Sequence, residues 1–253
     1  MTVADISIRV GDRTFPGYLA EPQNPAGQRP GVVVIHEIFG INDDIRHKAD
    51  EMAAHGYLAV APDLYQGKSW PGCVRQAITQ VRSGSGPAFE VLDATSAMLA
   101  ERPDCTGKVG VIGFCLGGGF ALLCAPRPGF AAAAVNYGDV PKDAEGALAG
   151  SCPIVGSFGA RDQMGTKPPE RLQRALVVLD VKHDVKVYPN SGHRFMSKAS
   201  GAGAVFAKIL RLSYNEEDAA DAWRRIYAFF DAELGGTQEV SEADETGPGQ
   251  AGS

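Results

Sequence analysis

The chain has 253 residues and a formal net charge of −6, and hydrophobic and charged residues make up 44% and 21% of it. These values are typical of a globular protein whose length fits one α/β domain. The negative charge argues against a nucleic acid or an anionic membrane as the main partner, because both require a basic face. No apolar run approaches the ~20 residues of a membrane-spanning helix, so we expect no membrane segment.

The cysteines follow neither a metal-binding pattern nor a disulfide pattern. Their number is odd and no C-x-x-C spacing occurs. They are Cys73, Cys105, Cys115, Cys124 and Cys152. We therefore expect reduced cysteines and a cytoplasmic location. The first residues lack the basic and apolar regions of a signal peptide, so the sequence predicts no leader.

The first part of the chain predicts a hairpin at the edge of a sheet. Residues 5–10 alternate apolar and polar side chains, a Gly-Asp turn signal follows, and residues 14–20 predict the second strand. Residues 31–36 are instead a continuous β-branched run, which is typical of a central strand covered on both faces. Asn42, Asp43 and Asp44 then supply candidate capping side chains for the first helix.

Strands and helices alternate through the rest of the chain. Further strands are predicted over residues 57–61, 108–112, 131–135, 153–158 and 184–188. Helices are predicted over residues 43–55, 87–101, 120–125, 168–180 and 217–233. Loops are predicted over residues 65–86, 139–151 and 195–214, the second of them with room for one helical turn. This alternation predicts an α/β fold with a mostly parallel central sheet and helices on both faces.

The composition changes at the carboxyl-terminal end. Residues 235–253 carry four acidic residues, no basic residue and five glycines. Such a segment has too few apolar side chains to bury a core. The sequence therefore predicts one folded domain over residues 1–234 and a disordered tail over residues 235–253.

A tight turn between a strand and a helix carries the first candidate for chemistry. Cys115 lies between Gly113 and Gly117, after the strand at 108–112 and before the helical run at 120–125. A nucleophile elbow has this layout, because the turn excludes bulky side chains two positions either side of the nucleophile. The following helix points the positive end of its dipole at the sulfur, which favours the thiolate. A buried structural cysteine is the alternative interpretation.

Two further side chains follow predicted strands. Asp162 comes after the strand at 153–158, and His193 comes after the strand at 184–188. A histidine within hydrogen-bond reach can take the proton of a thiol, and a carboxylate can orient that imidazole. Alone, Asp162 could be a helix cap or turn residue, and His193 could be an exposed loop histidine. The order nucleophile, acid, histidine is nevertheless that of the triad in α/β-hydrolases.

Four short segments together resemble the dienelactone hydrolase family. They are His36–Gly40, Pro62–Tyr65, Gly113–Gly118 and Ser191–Phe195. The resemblance runs from about residue 5 to residue 234. A cysteine elbow combined with the segment His-Glu-Ile-Phe-Gly is specific to this family within the larger fold. The resemblance implies an α/β-hydrolase fold.

The resemblance also implies an activity and its residues. It implies a hydrolase that cleaves an ester or lactone through an acyl-enzyme, with a triad of Cys115, His193 and Asp162. The backbone N–H groups of Ile38 and Leu116 would form the oxyanion hole. No cofactor and no metal ion are expected. The expected partner is a small-molecule ester or lactone from the breakdown of aromatic compounds, and the expected state is a monomer or small homo-oligomer.

Glu37 belongs to the same resemblance and is a candidate for control of the cysteine. In the family, the matching glutamate contacts the cysteine and helps to activate it only when substrate binds. A carboxylate near a thiol disfavours the thiolate, which would keep the sulfur neutral at rest and limit its oxidation. The alternative is that Glu37 only caps a segment or pairs with a nearby arginine.

One position departs from the family pattern. In characterised dienelactone hydrolases, an arginine four residues after the catalytic histidine holds the substrate carboxylate, whereas this chain has Ser197 there. Arg194 is adjacent to the histidine but is expected to point elsewhere, so a requirement for a carboxylated substrate stays open. The candidates for substrate contacts are Trp70, Arg75, Arg82 and Tyr137. Trp70 and Tyr137 could equally be core residues.

Three other interpretations compete with a cysteine hydrolase. A zinc-protease helix of the form H-E-x-x-H does not begin at His36, because the fifth residue of the segment is Gly40. A cysteine amidotransferase usually places its acid two residues after the histidine, where this chain has Phe195. A non-catalytic ligand-binding protein on a hydrolase fold often lacks a member of the triad, and this chain retains all three.

Overall fold

The computed structural model describes residues 1–23, 27–65, 70–162, 169–198 and 214–235, apart from the side chains of residues 70 and 71. Eight strands in this part of the chain form one sheet. The strands are β1 (Thr2–Val10), β2 (Arg13–Glu21), β3 (Arg29–Ile35), β4 (Leu58–Pro62), β5 (Cys105–Phe114), β6 (Ala132–Asn136), β7 (Ile154–Gly159) and β8 (His183–Tyr188). The helices are α1 (Asp43–Ala54), α2 (Trp70–Ser83), α3 (Pro87–Ala100), α4 (Leu116–Cys124), α5 (Ala144–Leu148), α6 (Pro169–Val178) and α7 (Glu216–Phe230), and a π-helical segment follows at Asp231–Gly235.

The sheet is mostly parallel, as the alternation of strands and helices predicted. Its order is β1-β2-β4-β3-β5-β6-β7-β8. The pairs β1–β2 and β2–β4 are antiparallel, and the other neighbouring pairs are parallel. The carboxyl ends of β3 to β8 therefore meet at one edge of the sheet, which is where ligands bind in open α/β sheets.

Two apolar layers cover the two faces of the sheet. Along β3, Val33 and Ile35 belong to one layer, and Val32 and Val34 belong to the other. Helices α2 to α6 contribute to the first layer, and α1 and α7 contribute to the second. Both faces of β3 are buried, which explains why its sequence is a continuous apolar run without alternation.

The prediction of a loop over residues 65–86 is wrong, because α2 occupies most of that segment. Ala77 and Val81 lie one helical turn apart on α2 and are buried in the same apolar layer as α3 and α4. Oε1 of Gln80 accepts a hydrogen bond from the backbone N–H of Ala88 at 2.7 Å, which joins α2 to the start of α3. The sequence did not predict this helix because a proline and a glycine near its start are typical of a loop. A proline is nevertheless tolerated in the first turn of a helix.

The other predicted strands and helices overlap the observed ones. The tail beyond residue 235 and residues 199–213 of the predicted loop at 195–214 lie outside the described residues. The domain limit at residue 234 therefore stays a prediction. Within the described part of the chain, no helix combines the length and the apolar character needed to cross a membrane.

Candidate active site

Cys115 occupies the turn between β5 and α4 in a conformation that few side chains adopt. Its φ is 57° and its ψ is −119°, and a positive φ is uncommon for any residue other than glycine. The flanking glycines permit the turn, because a Cβ atom at Gly113 would lie 1.9 Å from the carbonyl oxygen of Gly117. The backbone N–H of Cys115 donates to the carbonyl of Asn136 at 3.0 Å. These contacts hold the sulfur at the amino-terminal end of α4.

The structure brings Cys115, His193 and Asp162 together at the carboxyl edge of the sheet. The sulfur of Cys115 lies 3.0 Å from Nε2 of His193, and Nδ1 of His193 lies 2.7 Å from Oδ2 of Asp162. The loops after β7 and β8 carry the acid and the imidazole. Gly159 allows these loops to meet, because a Cβ atom there would lie 2.5 Å from the carbonyl oxygen of Ser191.

The surroundings of His193 favour its protonated form. The residue is 6% exposed, and burial by itself lowers the pKa of His193. Hydrogen bonds to Asp162 and Cys115 outweigh burial and raise this pKa to about 10. An imidazole with this proton affinity can take the proton of a neighbouring thiol and remain paired with the thiolate.

The backbone segments predicted to form an oxyanion hole follow adjacent parallel strands. Ile38 follows β3, and Leu116 is the first residue of α4, directly after the turn that ends β5. Gly117 brings α4 against the end of β3, because a Cβ atom there would lie 2.5 Å from the carbonyl oxygen of Ile35. The fold therefore places both segments beside Cys115, at the carboxyl ends of β3 and β5.

Glu37 is buried, and both of its carboxylate oxygens accept hydrogen bonds. Arg194 reaches Oε2 with Nε at 2.8 Å and with Nη2 at 2.7 Å. Oε1 accepts from the hydroxyl groups of Ser197 at 2.8 Å and Tyr137 at 3.4 Å. The sequence had left pairing with an arginine as one of two alternatives for Glu37, and the structure shows that pairing. Within the described residues, Glu37 makes no hydrogen bond to Cys115.

The sequence pattern of one known family covers almost all of the described chain. The pattern of the Dienelactone hydrolase family matches residues 15–234. The chain belongs to the dienelactone hydrolase family. The resemblance carried by the four short sequence segments is therefore confirmed, and so is the expectation of a hydrolase.

Individual relatives in the dienelactone hydrolase family match over similar lengths. A Synechocystis sp. protein provisionally named a carboxymethylenebutenolidase is 34% identical over 237 residues, which cover 86% of this chain and 92% of the relative. A Yersinia pestis protein with the same provisional name is 30% identical over 232 residues, which cover 85% of this chain and 83% of the relative. The crystal structure of a provisionally named dienelactone hydrolase from Klebsiella pneumoniae is 28% identical, with a TM-score of 0.74, and covers 90% of this chain and 98% of that chain. The α/β-hydrolase fold predicted from the sequence is confirmed.

Tyr137, predicted as a substrate contact, is buried beside the imidazole of His193. It is 2% exposed, and its ring meets that of His193 edge-on with the centroids 5.2 Å apart. Its hydroxyl group lies 2.9 Å from Oγ of Ser197. Burial and the nearby charge of Glu37 raise the pKa of Tyr137 well above its ordinary value, so the hydroxyl remains neutral. A contact with substrate stays a prediction.

Arg75 and Arg82, predicted as substrate contacts, lie on α2, and their contact with substrate stays a prediction. Both are exposed on α2. Arg82 lines a cavity of about 720 Å³ together with residues of α4 and of the loop between β6 and α5, and no member of the triad is among its described lining residues. The side chain of Trp70 lies outside the described residues.

Ser197 is the residue of this site that sequence reasoning missed. The sequence marked it only as the position at which the resemblance implies an arginine. In the structure it is buried, and its hydroxyl joins Glu37 and Tyr137. The available signal was its spacing from His193, because the turn over residues 193–196 brings residue 197 back toward the histidine.

The polar groups of this site bind one another. Among the described residues, no group of three or more histidine, cysteine, aspartate or glutamate side chains is arranged to hold a metal ion. The sulfur contacts an imidazole, the imidazole contacts Asp162, and Glu37 contacts Arg194. The expectation of no metal and no cofactor stays a prediction.

Proposed function

We propose that this dienelactone hydrolase family member cleaves an ester or lactone with Cys115 as the nucleophile. His193 acts as base and then acid, and Asp162 orients the imidazole. The observation that supports this most directly is the line of contacts from the Cys115 sulfur to Nε2 at 3.0 Å and from Nδ1 to the Asp162 carboxylate at 2.7 Å. Nucleophile, imidazole and carboxylate in this order perform acyl transfer on several unrelated folds.

In the first half of the reaction, His193 holds the proton of the thiol, and the sulfur of Cys115 attacks the acyl carbon as a thiolate. The backbone N–H groups of Ile38 and Leu116 stabilise the negative charge that develops on the acyl oxygen. When the tetrahedral intermediate collapses, the C–O bond of the ester breaks and His193 gives its proton to the departing oxygen. In a lactone, that oxygen remains attached to the acyl chain.

In the second half, water attacks the carbonyl carbon of the thioester. His193 takes a proton from this water, and the same oxyanion site holds the second tetrahedral intermediate. The C–S bond then breaks, and the proton returns from His193 to the sulfur of Cys115. An ester gives a carboxylic acid and an alcohol, a lactone gives a single hydroxy acid, and the free enzyme is restored.

Glu37 is assigned a role in controlling the sulfur. In this structure the sulfur lies against His193, while Arg194 and Ser197 hold the Glu37 carboxylate. A carboxylate that left these partners and approached the thiol would disfavour the thiolate and leave the sulfur unreactive. We therefore propose two positions for Glu37. In the reactive state it lies on Arg194, as in this structure, and in the resting state it lies toward the sulfur of Cys115.

The preferred substrate is proposed to be an uncharged ester or lactone. Position 197, which the resemblance associates with a carboxylate-binding arginine, is a buried serine bonded to Glu37. The guanidinium of Arg194 is already paired with Glu37 and lies over the ring of Phe39, 5.1 Å from its centroid. A substrate carboxylate would have to compete with Glu37 for this cation. Breakdown products of aromatic compounds in the cytoplasm stay the proposed source of such substrates.

The test compares wild type and Cys115→Ala on p-nitrophenyl acetate, an uncharged lactone and a carboxylated dienelactone. We expect wild-type turnover, with the uncharged compounds preferred, and a fall of about 10⁴-fold or more in the variant. Cys105→Ala is the matched control, because Cys105 is buried at the opposite end of β5 and should be dispensable for turnover. Turnover that survives in Cys115→Ala would contradict the proposal, and a preference for the carboxylated compound would contradict the substrate class.

A further inference from the structure

Helix α1 carries a buried ion pair that none of the proposed steps uses. The side chain of Lys48 is 3% exposed and pairs with Asp44, one turn earlier on the same helix. Its neighbours on the buried face of α1 are apolar and include Ile45 and Met52. A lysine in such a position is unusual, because taking an ammonium group out of water costs free energy that an apolar side chain would not. The packing of α1 alone does not explain this pair.

Lys48 contacts the hydroxyl group that holds Glu37. Its Nζ donates to Oγ of Ser197 at 3.2 Å, and Oγ of Ser197 donates to Oε1 of Glu37 at 2.8 Å. An ammonium group can only donate, so the Ser197 oxygen accepts from Lys48 and keeps its own proton for Glu37. Lys48 therefore orients the hydrogen bonds around Glu37 toward its carboxylate.

Asp44 holds the same turn through its other oxygen. Oδ1 of Asp44 accepts from the backbone N–H of Lys198 at 3.2 Å. The segment 193–198 is compact, because the backbone N–H of Ser197 donates back to the carbonyl of Arg194 at 2.9 Å. Helix α1 therefore binds the end of the turn that begins with the proposed base.

Lys48 also reaches the strand that carries the nucleophile. Its Nζ lies 4.8 Å from the centroid of the Phe114 ring, and Phe114 is the residue directly before Cys115. A cation over an aromatic face is attracted by the ring electrons, and burial strengthens this attraction. One ammonium group therefore contacts both the end of β5 and the turn after β8.

We propose that Asp44 and Lys48 form a positioning clamp, which fixes the turn 193–198 and keeps His193 against the sulfur. The clamp also fixes Ser197 on Glu37. This inference rests on the proposed function, in which His193 is the base. Small displacements of reacting groups cause large losses of rate, so a clamp on this turn affects catalysis without touching substrate.

The test uses the full chain with Lys48→Met and Asp44→Asn combined, which removes both charges with little change in side-chain size. We expect kcat to fall about tenfold and KM to stay within about twofold, because the clamp does not form the substrate surface. Alkylation of Cys115 by iodoacetamide should slow by about the same factor, since a displaced imidazole leaves less thiolate. Cys73 on α2 is the internal reference, and its alkylation rate should not change.

A purely structural role gives a different result. It would lower the Tm of the clamp variant and leave kcat and alkylation unchanged at a temperature where circular dichroism shows a folded protein, and this outcome would overturn the clamp. Arg102→Met is the matched control, because Arg102 bonds to Glu21 and Asp104 away from the triad. It should lower the Tm without changing either rate.

Two more variants keep the test decisive. If the clamp variant does not fold, Ser197→Ala replaces it. This variant removes the hydroxyl that links Lys48 to Glu37 and keeps the Asp44–Lys48 ion pair. It should slow alkylation of Cys115 about threefold. An unchanged rate in folded Ser197→Ala would then overturn the clamp.

His193→Ala separates the clamp from the proposed function. Slower alkylation of Cys115 in both His193→Ala and the clamp variant supports the clamp. Slower alkylation in His193→Ala alone overturns the clamp and leaves the proposed function standing. An unchanged rate in His193→Ala overturns the proposed function, and the clamp with it.

Discussion

The two ends of α4 each carry a cysteine, and their surroundings differ completely. Cys115 directly precedes the helix, is partly exposed, and has its sulfur 3.0 Å from Nε2 of His193. Cys124 is the last residue of the helix and is fully buried in the apolar core. Burial raises the pKa of the Cys124 thiol far above its ordinary value.

Position in the fold, and not residue type, accounts for this difference. The amino-terminal end of α4 presents the positive end of the helix dipole at the sheet edge, where the loops after β7 and β8 supply an imidazole. The carboxyl-terminal end lies in the core, where the charge of Asp93 adds to the effect of burial on Cys124. We therefore expect a reactive thiol at one end of α4 and an inert thiol at the other.

The largest expected effect is the difference in alkylation rate between the two thiols. In the folded protein, iodoacetamide should modify Cys115 at least about 100-fold faster than Cys124, because the thiolate is the reactive form. Mass spectrometry of peptides taken over time measures both rates in one sample. In urea-unfolded protein the two rates should agree. Equal rates in the folded protein would remove the contrast between the two ends.

Replacing the carboxylates of Glu37 and Asp93 tests the difference between Cys115 and Cys124 further. Glu37→Gln should lower kcat about 10- to 100-fold with a smaller change in KM, because it removes the charge that Arg194 balances and the group proposed to control the sulfur. Asp93→Asn is the matched control, since Asp93 pairs with Arg127 near Cys124 and should not affect turnover. An unchanged kcat in Glu37→Gln would remove this carboxylate from the mechanism.

His193, the proposed base beside Cys115, should make the free energy of unfolding depend on pH. His193 has a pKa of about 10 in the folded chain against an ordinary value of 6.5. A raised pKa means that the folded chain holds this proton more tightly, so its stabilising contribution is complete below about pH 6.5 and disappears as the pH rises through about 10. Between pH 6 and pH 10, the free energy of unfolding should fall more in wild type than in His193→Gln. Urea unfolding at both pH values measures this, and parallel falls would contradict it.

The smallest expected effect concerns the hydroxyl group of Tyr65, whose pKa is influenced by Cys115. Tyr65 is 7% exposed, and its hydroxyl has no hydrogen-bond partner among the described residues. Burial, followed by the influence of Cys115, raises the pKa of Tyr65 above its ordinary value. Tyr65→Phe should therefore raise the free energy of unfolding by about 1 kcal/mol, because it removes a buried polar group that is unpaired.

Tyr57→Phe is the matched control for Tyr65→Phe. The hydroxyl of Tyr57 donates to Asp231, so its removal should lower the free energy of unfolding by about 1 kcal/mol. Urea unfolding of both variants gives the two signs. A loss of stability in Tyr65→Phe would show that its hydroxyl is paired in the folded protein.

The sequence predicted well those features that neighbouring residues enforce. The spacing of Gly113, Cys115 and Gly117 indicates the elbow, because the turn leaves no room for a Cβ atom at either glycine. Asn42 indicates the start of α1, and its side chain accepts from the backbone N–H of Ile45 at 3.0 Å. Such features depend on a few adjacent residues, so the order of residues is enough to reveal them.

Helix α2 is the element that the sequence did not predict. Its first turn contains a proline and a glycine, which are typical of a loop. The helix gains its stability from Ala77 and Val81, which pack against the layer formed with α3 and α4, and from Gln80, which bonds to Ala88. Tertiary packing overrode the local signal here.

The sequence by itself determined the fold class, the elbow and the candidate set of Cys115, His193, Asp162 and Glu37. Only the tertiary structure decided which of these side chains touch. Glu37 meets Arg194 at a separation of 157 residues, and Lys48 meets Ser197 at a separation of 149. Buried charged groups take whichever partners the packing of the whole chain brings within hydrogen-bond reach, and no local pattern records that outcome.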